Sequence, residues 1–182
     1  MVVRSCIATF NDHSARWARL GIPLATALLL GAVCAGQPAG PGQPQLQVSF
    51  PSQARSAAVE TAILEVTNPG PEAIDSLLVS FSLVGSAGGT VSQPLVASGA
   101  RKKSPSIEDV RPEPGGISLD GVVFRFAGEG SAAVLDAGEK ISLEFDIRVP
   151  RSPGLSASSV QVYAGENPER AQGVRLETEI LP

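Results

Sequence analysis

The clearest pattern in the chain is an unbroken alternation of apolar and polar residues over 141–149, in the run ISLEFDIRV. Successive side chains of a β-strand point to opposite faces of its sheet, whereas helical side chains repeat every 3.6 residues. The segment therefore predicts a half-buried strand, which Pro150 and Pro153 end. Glu144 and Asp146 fall on its polar, outward face.

The same period of two recurs along most of the chain after residue 45. Turn-forming residues separate the alternating segments, as in Asn68-Pro69-Gly70-Pro71 and Asp120-Gly121. Pro94 interrupts one short apolar piece, which predicts an edge strand or a bulge there. Besides 141–149, the predicted strands cover residues 46–50, 62–67, 77–84, 90–97, 107–110, 117–119, 122–126, 160–162 and 174–180.

This organisation predicts an all-β fold. Sheets with one apolar face must pack against each other, so eight to ten short strands predict an antiparallel, two-sheet, immunoglobulin-like β-sandwich. Every phenylalanine after residue 45 lies on an alternating apolar face, and we therefore expect these rings in the core rather than in a binding cleft.

The first 35 residues have the three-part form of a secretory signal peptide. Three arginines precede the apolar stretch Ile22–Val33, which is short for a helix that spans a bilayer. Small residues at the end of this stretch predict cleavage after Ala35. The alternative is a lipoprotein with Cys34 acylated, although Leu30 lies four residues before this cysteine instead of the usual three.

Removal of this leader would change the composition of the chain. Residues 36–44 are rich in proline and glycine and predict a flexible linker, and residues 45–182 are assigned to the sandwich domain. The 147 residues from Gly36 to Pro182 contain no Cys, His, Trp or Met and no candidate membrane span. We therefore expect an exported protein, periplasmic or extracellular, whose stability comes from its core rather than from disulfides.

The missing residue types limit the chemistry. Serine or cysteine nucleophiles paired with histidine cannot be built, and zinc, copper, haem and iron–sulfur sites lack their ligands. Calcium needs only oxygen ligands, but no D-x-D-x-D-G run is present. Paired carboxylates such as Glu144 and Asp146 are expected on an outward face rather than in a glycosidase site. The sequence thus predicts no catalytic residue, no metal site and no cofactor.

Few residues stand out as candidates for interaction. The formal net charge of −4 for the whole chain argues against nucleic acid as a partner. Arg101-Lys102-Lys103 is a local run of cations that could dock an acidic partner, or be a solvated loop tip. Tyr163, near a strand end, is the one aromatic residue after the leader to watch as a contact. The last strand, 174–180, could pair with another chain, but its outward charges favour protection of the edge.

Two segments resemble bacterial immunoglobulin-like modules of envelope and cell-surface proteins. Residues 64–70 are similar to the opening strand and turn of such modules, and residues 107–149 to their second half, with a V-x-P-x-x-G loop at Val110–Gly115. In the turn 135–139, Ala137 stands where many families have proline. The resemblance covers residues 46–150, and it implies a spacer, adhesin segment or assembly part without an active site.

Together these features predict a secreted or periplasmic, non-catalytic β-sandwich with a structural or protein-binding role in adhesion or assembly. The expected partner is another envelope or surface protein. The alternative is a glycan-binding module whose ligand is a polysaccharide of the cell envelope, with Tyr163 and loop acids at its site.

Overall fold

The computed structural model describes residues 43–84, 93–99, 104–128, 130, 132–165 and 167–182. The predicted leader with its cleavage point at Ala35, most of the linker, and the basic run Arg101–Lys103 lie outside the described residues.

The described residues form eleven strands and one short 3₁₀ turn, Pro168–Arg170. The strands are, in chain order, β1 (Gln45–Ser49), β2 (Gln53–Arg55), β3 (Val59–Thr67), β4 (Ser76–Ser82), β5 (Gln93–Pro94), β6 (Ile107–Arg111), β7 (Gly116–Ile117), β8 (Val123–Ala127), β9 (Lys140–Arg148), β10 (Gly154–Ala164) and β11 (Gln172–Leu181).

These strands pair into two sheets. The four-stranded sheet has the order β1-β3-β9-β6, and the seven-stranded sheet has the order β2-β11-β10-β4-β8-β7 with β5 beside β10. All pairs are antiparallel except two short ones, β2 with β11 and β5 with β10. The prediction of an all-β, two-sheet sandwich is confirmed. The count exceeds ten by one strand, β2, whose three residues are too few to show a period.

The strand order is that of an immunoglobulin-like sandwich. The order β1-β3-β9-β6 corresponds to the A-B-E-D sheet of that fold, and β11-β10-β4-β8 corresponds to G-F-C-C′. One departure concerns the path of the chain: β6, in the D position, comes before β8, in the C′ position. The chain therefore crosses between the sheets before and after β6.

The core lies between the inner faces of the two sheets. Phe145 of the four-stranded sheet packs edge-to-face on Phe81, Phe124 and Phe126 of the other sheet, with ring centroids 5.1, 5.2 and 6.4 Å away. Such pairs contribute roughly 0.5–1.5 kcal/mol each beyond the burial of their area. This cluster joins the two sheets at their centre, and the expectation that these rings belong to the core is confirmed.

One buried polar residue, Asn68, ties two turns together at one end of the sandwich. Its side-chain amide nitrogen lies 2.8 Å from the carbonyl oxygen of Glu72, 3.1 Å from that of Asp136 and 3.3 Å from that of Leu135. Its side-chain oxygen accepts a bond from the backbone N–H of Gly70 at 3.1 Å. Because Asn68 is fully buried, these bonds replace water for several backbone groups of both turns.

Strand β10 is much longer than the sequence predicts. Only residues 160–162 have a recognisable period, because the preceding run GLSASS has small residues on both faces. Ser156 and Ser158 are nevertheless buried and point toward the incoming β5 segment. Ser156 donates to the carbonyl of Gln93 at 3.2 Å, and the Ser158 hydroxyl accepts from the N–H of Val96 at 2.9 Å.

Candidate functional site

The outer face of the four-stranded sheet is covered by ion pairs. Arg111 on β6 binds the carboxylates of Asp109, Glu144 and Asp146 at 2.6, 2.9 and 3.0 Å. Thr61 on β3 donates its hydroxyl to Asp146 at 2.7 Å. Two further pairs, Lys140–Glu65 at 2.7 Å and Arg148–Glu108 at 2.6 Å, lie on the same sheet. The charged groups of this face therefore satisfy one another.

These contacts move two pKa values. The hydrogen bonds from Arg111 and then Thr61 hold the pKa of Asp146 below its ordinary value. The bonds to Asp146, Glu144 and Asp109, in that order, raise the pKa of Arg111 further above its already high value. Asp146 is consequently an ionised group with fixed partners, whereas a general acid in catalysis needs a raised pKa.

The outer face of the seven-stranded sheet has a different composition. Gln161 on β10 stands opposite Gly173 on β11 and Ser80 on β4, and Ser80 stands opposite Val123 on β8. Two residues earlier on β10, Ser159 lies between Arg175 on β11 and Ser82 on β4. Around Gln161 this face therefore consists of small or uncharged side chains, whereas the next row carries the charge of Arg175.

Beside these residues, three larger side chains form one row across the sheet, which we call the Tyr163 row. Tyr163 on β10 stands opposite Leu78 on β4, and Leu78 stands opposite Arg125 on β8. Neighbouring strands are about 4.8 Å apart, so the row extends over about 10 Å. Tyr163 and Leu78 are half-buried and Arg125 is exposed. Gly116 on β7 continues the row without a side chain.

Arg125 has few partners of its own. Its Nε donates to the hydroxyl of Ser76 at 3.1 Å, and its two terminal nitrogens bond to no described residue. No carboxylate occupies the register positions of the Tyr163 row or of the row that contains Gln161. Among the described residues, the guanidinium of Arg125 therefore has one acceptor, whereas that of Arg111 has three carboxylates.

The residues singled out from the sequence fall in different places. Tyr163 lies on the outer face of the seven-stranded sheet, directly opposite Leu78 on the neighbouring strand. Arg101, Lys102 and Lys103 lie outside the described residues, but their flanks are placed: the N–H of Gly99 donates to the carbonyl of Asp120 at 2.6 Å, and that of Ser104 to the carbonyl of Gly121 at 3.1 Å.

The sequence reasoning missed Leu78 and Arg125. The signal for Leu78 was present, because it is an apolar residue at a polar position in the alternation of 77–84. Arg125 carries no such signal, since a single outward arginine is ordinary in a strand. Only the register of three strands brings the two residues into one row with Tyr163.

One edge of each sheet has features that hinder pairing with another chain. On β11, β2 covers residues 179–181, and Gln172 accepts the backbone N–H of Leu46 at 3.2 Å. The outward charges Arg175 and Glu177 form a pair at 2.7 Å. On the opposite sheet, β6 has a register shift between Ile107 and Asp109. Such features oppose the addition of a strand from another chain, as the charges of 174–180 predict.

An open groove of about 320 Å³ lies at the end of the sandwich where β9 ends. Three prolines, Pro94, Pro105 and Pro150, and two arginines, Arg148 and Arg151, are among its lining residues. Arg148 is already bound to Glu108 and to the carbonyl of Ala57. The groove therefore offers mainly ring carbons and one further cation, Arg151.

Three loop acids that could supply oxygen ligands to calcium have protein partners. Asp109 binds Arg111, Asp120 accepts from the hydroxyl of Ser118, and Glu139 accepts from the N–H of Asp136 at 2.9 Å. Within the described ranges, no group of three or more His, Cys, Asp or Glu side chains is placed to hold a metal ion. No helix in the described part of the chain is long and apolar enough to cross a membrane.

Comparison with known proteins finds similarity only at the level of structure. No protein-family profile matches the sequence, and no curated protein matches it. The bacterial hydrophobin BslA is similar with a TM-score of 0.45 and 8% identity, covering 76% of this chain and 99% of BslA.

Two further solved structures are similar to this chain. The CARDB domain of the PF1109 protein from Pyrococcus furiosus has a TM-score of 0.40 and 13% identity, covering 76% of this chain and 94% of that domain. The PapD-like domain 7 of human CEP192 has a TM-score of 0.31 and 16% identity, covering 77% and 84%. With TM-scores this low, these similarities add nothing to the strand order, which defines the fold by itself.

Proposed function

We propose that the protein is an exported, non-catalytic binding module that contacts another envelope or surface protein through the outer face of its seven-stranded sheet. The observation that carries the proposal is the Tyr163 row. Tyrosine and arginine are enriched where proteins bind one another, and glutamate, aspartate and lysine are depleted there. The Tyr163 row has this composition, and small residues beside it permit close approach of a partner.

The state of the carboxylates supports a role without catalysis. Glu144 and Asp146 are the acids that the alternation of 141–149 places together, and both are bound to Arg111. They lie on an open sheet face, and the pKa of Asp146 is lowered rather than raised. Neither the position nor the protonation state suits general acid chemistry at neutral pH.

The location rests on the leader. Residues 1–35 have the order of basic, apolar and small residues that a secretory signal needs. We expect the recovered protein to begin at Gly36, and N-terminal sequencing of the product from the exported fraction of the cells checks this. A product that retains Trp17 inside the cell would contradict export.

Photo-crosslinking in living cells tests the binding face. We replace Tyr163 with benzoylphenylalanine, an aromatic residue that reacts with nearby C–H bonds under light. The matched control places the same residue at Ser142, which is exposed in the outer face of the four-stranded sheet. Discrete protein adducts are expected from position 163 and not from position 142.

Equal adducts from both positions would contradict the assignment of the binding face. The absence of protein adducts from position 163, with export confirmed, would contradict protein binding altogether. The variant Arg125→Ala should reduce the adducts from position 163, because it removes the cation of the same row.

A second candidate function is binding of a polysaccharide of the envelope. The observation that favours it is the position of Tyr163 next to Gln161 and Ser80, since an aromatic ring beside amide and hydroxyl groups can hold a sugar ring. Binding on a glycan array that Tyr163→Ala abolishes, without protein adducts from position 163, would favour this function over the first.

A further inference from the structure

The seven-stranded sheet ends on one side in the short strand β7, opposite the edge that β2 covers. The segment 115–119 contains β7 and reads GGISL, without a charged residue or a proline. All five residues belong to the described part of the chain. Edge strands of natural proteins commonly carry charges, prolines or bulges that prevent pairing with another chain. The β7 edge has only its short length for this purpose.

The backbone of Ile117 faces outward from this edge. The N–H of the next residue, Ser118, donates to the carbonyl of Val123 on β8 at 2.9 Å, and Ile117 stands opposite Phe124. Backbone groups of an antiparallel strand alternate between its two sides, so the N–H and C=O of Ile117 point away from β8. Among the described residues, neither group has a hydrogen-bond partner. A further antiparallel strand would form a pair of hydrogen bonds with them.

Apolar side chains reach water along the same edge. Ile117 is 44% exposed, although it stands opposite Phe124, which is fully buried in the core. Leu119, in the turn that follows β7, is 83% exposed. Single exposed leucines are ordinary on protein surfaces, but apolar residues beside unpaired backbone groups indicate a contact surface. The side chains and the backbone of this edge therefore both lack a partner in the described part of the chain.

We infer that β7 pairs with β7 of a second copy of this chain, antiparallel and across a two-fold axis at Ile117. Across such an axis, the N–H of each Ile117 donates to the carbonyl of the other. The same register places Leu119 of each copy opposite Gly115 of the other, and Gly116 opposite Ser118. Each leucine thus meets a residue without a side chain, and the two isoleucines meet each other. The two seven-stranded sheets become one continuous sheet.

The chemistry of the edge favours a second copy as its occupant. Unpaired backbone N–H and C=O groups are complementary to a polypeptide strand, and not to a lipid or a sugar ring. Like charges directly opposite one another destabilise a strand pair, and self-pairing of 115–119 brings none together. The fit of Leu119 to Gly115 is reciprocal, as a two-fold contact requires. This contact goes beyond the proposed protein binding, and it leaves the Tyr163 row of each copy open to that partner.

Light scattering of the protein recovered from cells that express the full chain tests the inference. We expect a dimer for the wild type and a monomer for Ile117→Asp. The matched control is Val59→Asp, which should stay a dimer, because Val59 is 45% exposed on the other sheet. Leu119→Asp changes only an exposed turn residue, so its folding is not at risk. It should weaken the dimer by about 100-fold, since a leucine contact worth about tenfold is lost twice.

Oxidative cross-linking tests the register of the pair. Cys6→Ser and Cys34→Ser remove the native thiols, and Ile117→Cys places one thiol of each copy at the two-fold axis. The Cα atoms of a hydrogen-bonded antiparallel pair lie about 5.5 Å apart, within the range of a disulfide. A disulfide-linked dimer is expected from position 117 and not from Val59→Cys in the same background.

Four results would overturn the inference. The first is a monomer at every concentration in light scattering. The second is a dimer that Leu119→Asp leaves intact, because another surface would then hold the two copies. Equal disulfide yields from positions 117 and 59 would contradict pairing at β7. A monomer that forms adducts with a different protein from benzoylphenylalanine at position 119 would mean that a foreign strand occupies the edge.

Discussion

Two arginines on the outer faces of this sandwich have opposite surroundings. On the four-stranded sheet, Arg111 binds three carboxylates, whereas on the seven-stranded sheet Arg125 binds one serine hydroxyl. Both side chains are exposed and both stand on strands near a sheet edge. The difference teaches that register neighbours decide whether an arginine on a sheet surface meets a carboxylate. Arg111 has three carboxylates within reach, whereas the register neighbours of Arg125 are Leu78 and Gly116.

The largest loss of stability is expected from Asn68, a buried polar residue that lies on neither outer face. The effects at the two faces are compared with it. Asn68→Ala should destabilise the protein by about 3 kcal/mol, because its side chain makes several buried bonds worth roughly 1 kcal/mol each. Urea denaturation measures the change. The matched control is Asn167→Ala, which also precedes a proline but makes no side-chain capping bond and should shift stability by less than about 0.5 kcal/mol.

The next largest loss of stability is expected from Arg111, and it tests whether the ion pairs on the four-stranded sheet stabilise the fold. Arg111→Ala should lower the urea midpoint at neutral pH, because Asp109, Glu144 and Asp146 then repel one another without their shared cation. The pKa of Asp146 is lowered in the folded state, so its ionised form contributes stability above its unfolded pKa of about 3.9. That contribution disappears as the pH falls through the folded value.

The difference in midpoint between wild type and Arg111→Ala should therefore be largest near pH 7 and should narrow below about pH 4. Urea titrations at several pH values measure it, and high salt should also reduce it. A difference that stays constant down to acidic pH would contradict the role of this carboxylate network.

A third substitution concerns a buried hydroxyl, that of Thr178, which contrasts with the hydrogen-bonded side chain of Asn68. Thr178 is 1% exposed, and its hydroxyl finds no hydrogen-bond partner among the described residues. Thr178→Val keeps the shape and removes the buried hydroxyl, so it should stabilise the protein by about 1 kcal/mol. A loss of stability in thermal or urea unfolding would mean that the hydroxyl has a partner such as a buried water.

The smallest effect on stability is expected at the open face. Arg125→Ala should change the free energy of unfolding by less than about 0.5 kcal/mol, since it removes one exposed bond to Ser76. Urea denaturation beside Arg111→Ala checks it directly. An equally large loss of stability from both arginines would break the distinction between the two faces.

Much of the fold was predictable because the strands with one apolar face have a strict period. The alternation of 141–149 predicts β9 and its outward acids, and the turn at Asn68 marks the end of β3. Strand β10 was underestimated, since small residues such as Ser156 and Ser158 carry no contrast between its faces. Their burial depends on the pairing of β5 with β10, whereas the sequence predicts a strand over 90–97 without its partner.

The candidate site was less predictable than the fold. Tyr163 could be singled out because few aromatic residues follow residue 35, but its neighbours could not. Leu78 and Arg125 are distant in sequence from Tyr163 and share its row only through the register of β10, β4 and β8. Register depends on the packing of both sheets, so the row of side chains becomes visible only in the folded protein.

The most direct test of the central claim compares the two arginines in one experiment. Benzoylphenylalanine at position 163 is combined with Arg111→Ala or with Arg125→Ala, and the yield of protein adducts in cells is measured beside the urea midpoint. We predict that Arg125→Ala reduces the adducts and leaves the midpoint unchanged, whereas Arg111→Ala lowers the midpoint and leaves the adducts of the folded protein in place. The reverse pattern, or equal effects of both substitutions, would contradict the assignment of one face to stability and the other to binding.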